Sequence, residues 1–178
     1  GKKKEYTHFG DRISTDLCGP FDESIADKYV YAICFHDAAT KYVACYLLHT
    51  KSKEEVLDAF KQFLHDYGDV MPNGIKEFHC DNGPEFINSD MDQFCEEIAV
   101  NRTYTVPYCP PQNPYAERAW GTLLAKVRKS LVASKLPDSF WSYAITHASY
   151  IHNIQLTEGN SRSPYEKTFN RKPDYTKL

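Results

Sequence analysis

Two apolar runs rich in β-branched and aromatic residues, Tyr29 to Phe35 and Tyr42 to Leu48, are separated only by the polar link His36 to Lys41. A link that short joins antiparallel neighbours, because a parallel pair needs a crossover of a dozen or more residues. The runs are therefore the second and third strands of a meander. Its first strand lies upstream, where Ile13, Thr15 and Leu17 alternate with Ser14, Asp16 and Cys18, the pattern of a half-buried strand with Asp16 facing away from Ile13 and Leu17. After the third strand the period changes. Ser52 and Glu55 have the spacing of a capping box, and Val56, Leu57, Phe60, Phe63, Leu64 and Tyr67 recur at helical intervals. Gly68 and the turn Met71-Pro72-Asn73-Gly74 end that helix, and Ile75 to Cys80 reads as a fourth strand delivering Asp81 at its C-terminal end. Ser89 is the expected cap of a short helix carrying Met91, Phe94, Cys95 and Ile98, and Val100 to Thr105 is a fifth strand. Beyond a loop with Pro107, Pro110 and Pro111, Asn113 and Pro114 suit the N-cap and first position of a helix. Its buried stripe is Ala116, Trp120, Leu123, Val127 and Leu131, and a last amphipathic helix runs from Asp138 to about Asn153.

With 178 residues, 42% of them hydrophobic and 14% aromatic, the chain can bury one substantial core, which makes it a single domain. No apolar run approaches the roughly 20 residues that span a bilayer, so no membrane partner is expected. The six cysteines, at 18, 34, 45, 80, 95 and 109, form no CxxC unit and read as small hydrophobes in a reducing compartment. His147 and His152 miss the spacing of a helical zinc pair, and no zinc is expected in this stretch. The formal charge of −3 argues against a broadly basic nucleic-acid surface. Carboxylates that hold divalent cations are counted in that sum without their metals. Local basic clusters remain at Lys2-Lys3-Lys4, Lys126-Val127-Arg128-Lys129 and Arg171-Lys172, each of which taken alone is more often a solvated face.

Three acidic residues stand in distinctive surroundings: Asp16 in Ser14-Thr15-Asp16-Leu17-Cys18-Gly19-Pro20, Asp81 in Cys80-Asp81-Asn82-Gly83-Pro84-Glu85-Phe86, and Glu117 in Gln112-Asn113-Pro114-Tyr115-Ala116-Glu117-Arg118. Sixty-four residues separate the first pair and 35 the second. Hard oxygen ligands converging from separate elements are what two-metal phosphoryl transfer requires. Each has an ordinary explanation when taken singly: a strand-end aspartate is commonly a turn residue, and a glutamate in a first helical turn favours the helix dipole. Glu85 and Asp37 are decoys, the first in a loop and the second in a hairpin turn.

Taken with their flanks, these motifs resemble the catalytic core of a copia-type LTR-retrotransposon integrase, a relative of the retroviral integrases. Leu136-Pro137-Asp138-Ser139-Phe140-Trp141, Ser163-Pro164-Tyr165-Glu166 and Arg171-Lys172-Pro173 resemble the same family, so nearly the whole chain is covered. The resemblance implies an α/β, ribonuclease H-like fold, with a central five-stranded mixed sheet flanked by helices. It places a core at 12–155 between an N-terminal arm, 1–11, that follows an absent zinc-binding module, and a C-terminal extension, 156–178. One departure is Pro114, where the family has glycine, so the loop before Glu117 is stiffer than usual.

The resemblance also implies the chemistry. Asp16, Asp81 and Glu117 hold two Mg2+ or Mn2+ ions, with Asp16 shared, for in-line attack by water or a DNA 3′-OH. The function implied is that of a DNA polynucleotidyl transferase joining retroelement 3′ ends to target DNA. A nuclease of the same fold, or a domesticated non-catalytic tethering or dimerisation domain, is the alternative. Expected DNA contacts are the amides of Gln112 and Asn113, the rings of Tyr108 and Tyr115, and Arg128, which lies eleven positions beyond Glu117 on nearly the same helix face. Implied partners are retroelement terminal DNA, target DNA, a second core in a homodimer within a larger assembly, and a chromatin-tethering host factor. The implied locations are the nucleus and a cytoplasmic virus-like particle.

Overall fold

The computed structural model describes residues 5–105, 113–156 and 159–177. Strands β1 (Ile13–Cys18), β2 (Tyr31–Asp37) and β3 (Val43–Leu48) form the antiparallel meander, with Thr15 opposite Phe35 and Ile33 opposite Tyr46. Strand β4 (Glu77–Cys80) pairs parallel to β1, and β5 (Asn101–Tyr104) pairs parallel to β4. The order across the sheet is β3-β2-β1-β4-β5, the mixed five-stranded arrangement expected. The β2–β3 link is tighter than the sequence suggested, because β2 continues to Asp37. The Asp37 carboxylate accepts from Thr40 N at 2.6 Å, Thr40 Oγ1 at 2.8 Å and Ala39 N at 3.1 Å, so it closes the turn itself.

The two-residue period of the strands sorts the core onto two faces. On one face Ile13, Ile33, Phe35, Ala44, Phe78 and Cys80 meet α1 (Lys53–Tyr67) and α2 (Ser89–Glu97). Phe60 of α1 stacks on Phe78 with ring centroids 4.2 Å apart, and Phe63 stacks on Phe35 at 4.7 Å. Each such fully buried ring contributes about 2–3 kcal/mol of burial energy. On the other face Ala32, Cys34 and Val43 meet Ala116, Leu123 and Val127 of α3 (Pro114–Ser134) and Trp141, Ile145 and Ala148 of α4 (Trp141–Ile154).

Several helix ends differ from expectation. Asn88, not Ser89, caps α2: its Oδ1 accepts from Met91 N at 3.0 Å while its Nδ2 donates to Glu85 O at 3.0 Å, a second arm that serine lacks. At α1 the Ser52 hydroxyl accepts from Glu55 N, but the Glu55 carboxylate accepts from His49 N at 2.8 Å and Thr50 Oγ1 at 2.9 Å, so only half of the box forms. A complete capping box joins Ser163 and Glu166 at the start of α5 (Pro164–Phe169). Asp138–Phe140 is a separate 3₁₀ turn before α4. Tyr165 and Phe169 of α5 pack against the α1-side core. No helix among the described residues is long and apolar enough to cross a membrane, and the five described cysteines are free thiols.

Candidate active site

The parallel register of β1 and β4 pairs Ile13 with Phe78 and Ser14 with His79. Continuing that offset sets Asp16 level with Asp81, just past the last residue of β4, so the long separation in sequence is closed by two adjacent strands. Helix α3, which carries Glu117, is anchored to the strand of Asp16. Asn113, four residues before Glu117, donates from Nδ2 to Thr15 O at 2.8 Å, and Trp120, three residues after it, donates from Nε1 to Asp16 O at 3.3 Å. Positions four before and three after share a helix face with Glu117. The first two turns of α3 are thus anchored at two successive carbonyls of β1.

The electrostatics record the resulting crowding. The Asp16 carboxyl is pushed up to about 6, first by burial, then by the negative charge of Asp81, with smaller contributions from Glu117 and Glu85, against the opposing Leu17 amide. Asp16 Oδ1 accepts from Leu17 N at 2.9 Å and Asp81 Oδ1 from Gly83 N at 2.9 Å. These bonds fix both carboxylates and leave each Oδ2 without a hydrogen bond among the described residues. Glu117 is exposed. Such a donor set is chemically suited to a hard divalent cation, which takes oxygen ligands. As the side chains stand, no three His, Cys, Asp or Glu groups among the described residues are close enough to hold one ion.

Other residues of these motifs are structural. Gly19 has φ +134°, and a Cβ there would lie 2.7 Å from Tyr31 Cδ1 and 2.8 Å from Val30 O. Phe86 is fully buried, and Asn82 Nδ2 donates to Thr105 O at 2.7 Å, which ties the loop after β4 to the end of β5. Trp141 donates from Nε1 to Asp22 O at 2.7 Å and stacks on Phe21.

Of the residues expected to contact DNA, Tyr108 and Gln112 lie outside the described residues. Asn113 is 4% exposed; its amide is committed to β1 and is not offered to a phosphate or base edge. It sits at the N-cap position of α3 but makes no capping bond. Tyr115 is half-buried, with one ring face against His36 at 5.8 Å and the cations of Arg12, Lys41 and Arg118 within 5.8 Å of its centroid. That environment differs from an open base-stacking platform. Arg128, like Glu117, is exposed on α3. The anchoring role of Asn113 escaped sequence reasoning because a buried asparagine and an N-cap look alike in a string of letters.

Comparison with known proteins adds an independent line. Residues 7–110 match the integrase core domain family, a stretch that includes Asp16 and Asp81 and stops short of Glu117. The retrovirus-related Pol polyprotein from transposon TNT 1-94 of Nicotiana tabacum is 32% identical over 143 residues, which is 80% of this chain and 11% of the relative. The transposon Ty1-NL2 Gag-Pol polyprotein of Saccharomyces cerevisiae is 28% identical over 151 residues, 85% of this chain and 9% of the relative. The chain thus spans about a tenth of these curated relatives. Among solved structures, the simian T-cell lymphotropic virus intasome in complex with PP2A regulatory subunit B56 gamma aligns over 100% of this chain and 62% of its own, with TM-score 0.77 and 16% identity. The HTLV-2 integrase catalytic core domain in complex with magnesium aligns over 90% of this chain and 97% of its own, with TM-score 0.70 and 17% identity. Likeness at such identities speaks to the fold, which is ribonuclease H-like. Because the family match covers more than half of its length, the chain belongs to the integrase core domain family.

Proposed function

We propose that the chain is the catalytic core of a retrotransposon integrase, a DNA polynucleotidyl transferase whose carboxylate ligands are Asp16, Asp81 and Glu117. The observation that carries this reading is geometric: the β1–β4 register sets Asp16 level with Asp81, and the bonds of Asn113 and Trp120 to the Thr15 and Asp16 carbonyls seat the helix of Glu117 on the same strand. Two divalent cations, Mg2+ or Mn2+, would supply Lewis acidity to the attacking and leaving oxygens. The protein's part is positional. Leu17 N and Gly83 N orient the two aspartates, Asn113 and Trp120 seat the helix that carries Glu117, and Asp16 would hold a cation in its deprotonated form.

In the joining step the 3′ oxygen of a retroelement end attacks a target phosphorus in line. The new P–O bond forms as the bond to the target's own 3′ oxygen breaks, and the proton lost by the attacking hydroxyl is matched by one gained by the leaving oxygen. The number of phosphodiester bonds is unchanged, so no nucleotide is consumed. Retroelement ends and target DNA are the substrates of this reading, a second core within a larger assembly and a chromatin-tethering host factor are its protein partners, and virus-like particle and nucleus are its locations.

The test uses the 178-residue chain with Mg2+ or Mn2+ on an oligonucleotide end and plasmid, and in the reverse direction on a branched oligonucleotide. Asp81→Asn is expected to abolish both reactions, and joining that survives this substitution overturns the site.

A further inference from the structure

The turn after β2, the N-terminal part of α3, the last turn of α4 and α5 enclose a half-open cavity of about 220 Å³. Lys41, Arg118 and Lys167 line it together with His36, His152 and Tyr115, and no carboxylate lines it among the described residues. In a chain of net charge −3 this is a local concentration of positive charge. Like charges gathered around a small cavity repel, and an anion between them relieves that repulsion.

Lys41 Nζ donates to Ala38 O and Lys167 Nζ to Asn160 Oδ1 at 2.8 Å, bonds that hold both ammonium groups at the cavity and leave each with further N–H donors. The Tyr115 ring has the Lys41 ammonium 5.1 Å and the Arg118 guanidinium 5.4 Å from its centroid, so the same ring contacts both cations. Arg118 has no ion pair among the described residues. Asp37, the carboxylate nearest His36 and Lys41 along the chain, is already committed to Gly10 N, Ala39 N, Thr40 N and Thr40 Oγ1. His36 lines the cavity at 6% exposure, and its buried Nδ1 has no hydrogen-bond partner. Burial, then the charges of Lys41, His152 and Arg118, hold its ring well below the usual imidazole range, down to about 3. A neutral imidazole can donate to an oxyanion without adding to the crowding of charge.

We infer that this cavity binds a phosphate group, and that in the working enzyme the group is a backbone phosphate of the DNA held at the carboxylates. Position supports the second part. Arg118 follows Glu117 directly, and His36 pairs with Ser14, two residues before Asp16 and about 7 Å along the strand. A strand reacting at the carboxylates has neighbouring phosphates within reach of this cavity. That assignment to DNA rests on the proposed polynucleotidyl transferase activity; binding of phosphate does not.

The experiment has two arms on the 178-residue chain. Inorganic phosphate is titrated while the His36 and His152 imidazoles are followed by NMR, with chloride at equal ionic strength as control. Saturable shifts confined to residues of the cavity, lost in Arg118→Gln and kept in Arg118→Lys, are expected. Absence of such shifts overturns the site. In the second arm, oligonucleotide affinity is measured against KCl concentration. Lys41→Gln and Arg118→Gln should each weaken binding and lower the logarithmic salt slope by about 0.7–0.9, the value for one phosphate contact. An unchanged slope with phosphate binding intact means that the cavity takes a small anion only, and overturns the DNA assignment. Absence of phosphate binding overturns the cavity alone, whereas joining that survives Asp81→Asn overturns the carboxylate site alone, and no joining by the unsubstituted chain overturns the activity.

Discussion

Asn113 donates from Nδ2 to the carbonyl of Thr15 at 2.8 Å while its own carbonyl accepts from Glu117 N at 3.0 Å. One buried residue therefore connects the strand bearing Asp16 to the turn bearing Glu117. Asn113→Ala leaves the Thr15 carbonyl unpaired at a cost of about 1–3 kcal/mol and lets the helix start drift relative to β1. The expected result is a lower melting temperature together with a joining rate reduced at least tenfold and a higher Mg2+ concentration for half-maximal rate. The metal titration discriminates, because loss of stability alone leaves the metal requirement of the surviving folded enzyme unchanged.

The raised Asp16 carboxyl has a definite sign in stability. Its folded value of about 6 exceeds the model-compound value of 3.8, so between those pH values the folded state binds more protons than the unfolded state. Stability contributed by this group therefore falls as pH rises through that window and is lowest above 6. After allowance for solvent screening the loss is about 1–2 kcal/mol. Asp16→Asn should raise the melting temperature of the metal-free protein at pH 7.5 and flatten its dependence between pH 4 and 6, while abolishing joining. Mg2+ should stabilise the unsubstituted chain more at pH 7.5 than at pH 5, where Asp16 must first lose a proton. Melting curves across pH with and without Mg2+ check both, and equal stabilisation at the two pH values would argue against Asp16 as a ligand.

Much of this architecture was legible because period and chemistry agree locally. The alternation around Asp16, the two runs of the meander and the helical stripe from Val56 to Tyr67 each specify their element without help from afar. What was not legible depends on partners distant in sequence. Asn113 has the letters of an N-cap, yet its bond runs to Thr15, 98 positions away, and no local rule encodes that choice. Asn88 displaced Ser89 as the cap of α2 because it can also hold Pro84 O and Glu85 O. Glu55 left Ser52 for the chain end after β3 for a similar reason. The level placement of Asp16 and Asp81 follows from strand pairing, and a spacing between residues does not specify a register.

Two glycines are expected to respond in opposite directions to alanine. At Gly19 the φ of +134° is strained for any L side chain, and the new Cβ would meet Tyr31 and Val30 O; the strain alone is worth about 1–3 kcal/mol. Gly121 lies inside α3 with nothing within 4 Å of an added Cβ, so alanine there should stabilise by about 0.5–1 kcal/mol. Urea midpoints should fall for Gly19→Ala and rise for Gly121→Ala with unchanged slopes. A destabilised Gly121→Ala would mean that this face of α3 is covered in solution.

The sheet edge at β3 carries the last prediction. Asn153 of α4 accepts from Val43 N at 2.9 Å and donates to Val43 O at 2.8 Å, and Ser149 Oγ donates to the same carbonyl at 2.9 Å. A buried amide thereby satisfies both backbone groups of an edge-strand residue that no sixth strand covers among the described residues. Asn153→Asp keeps the acceptor for Val43 N but removes the donor and sets a carboxylate oxygen against the Val43 carbonyl. It should cost more than Asn153→Ala, which loses both bonds at about 1–3 kcal/mol. The penalty of the aspartate should shrink below pH 5, where its protonated form can donate again. Denaturation of the two variants at pH 7.5 and pH 4.5 checks this. A penalty for Asn153→Asp that is the same at both pH values would mean that Val43 O is already satisfied by Ser149 alone.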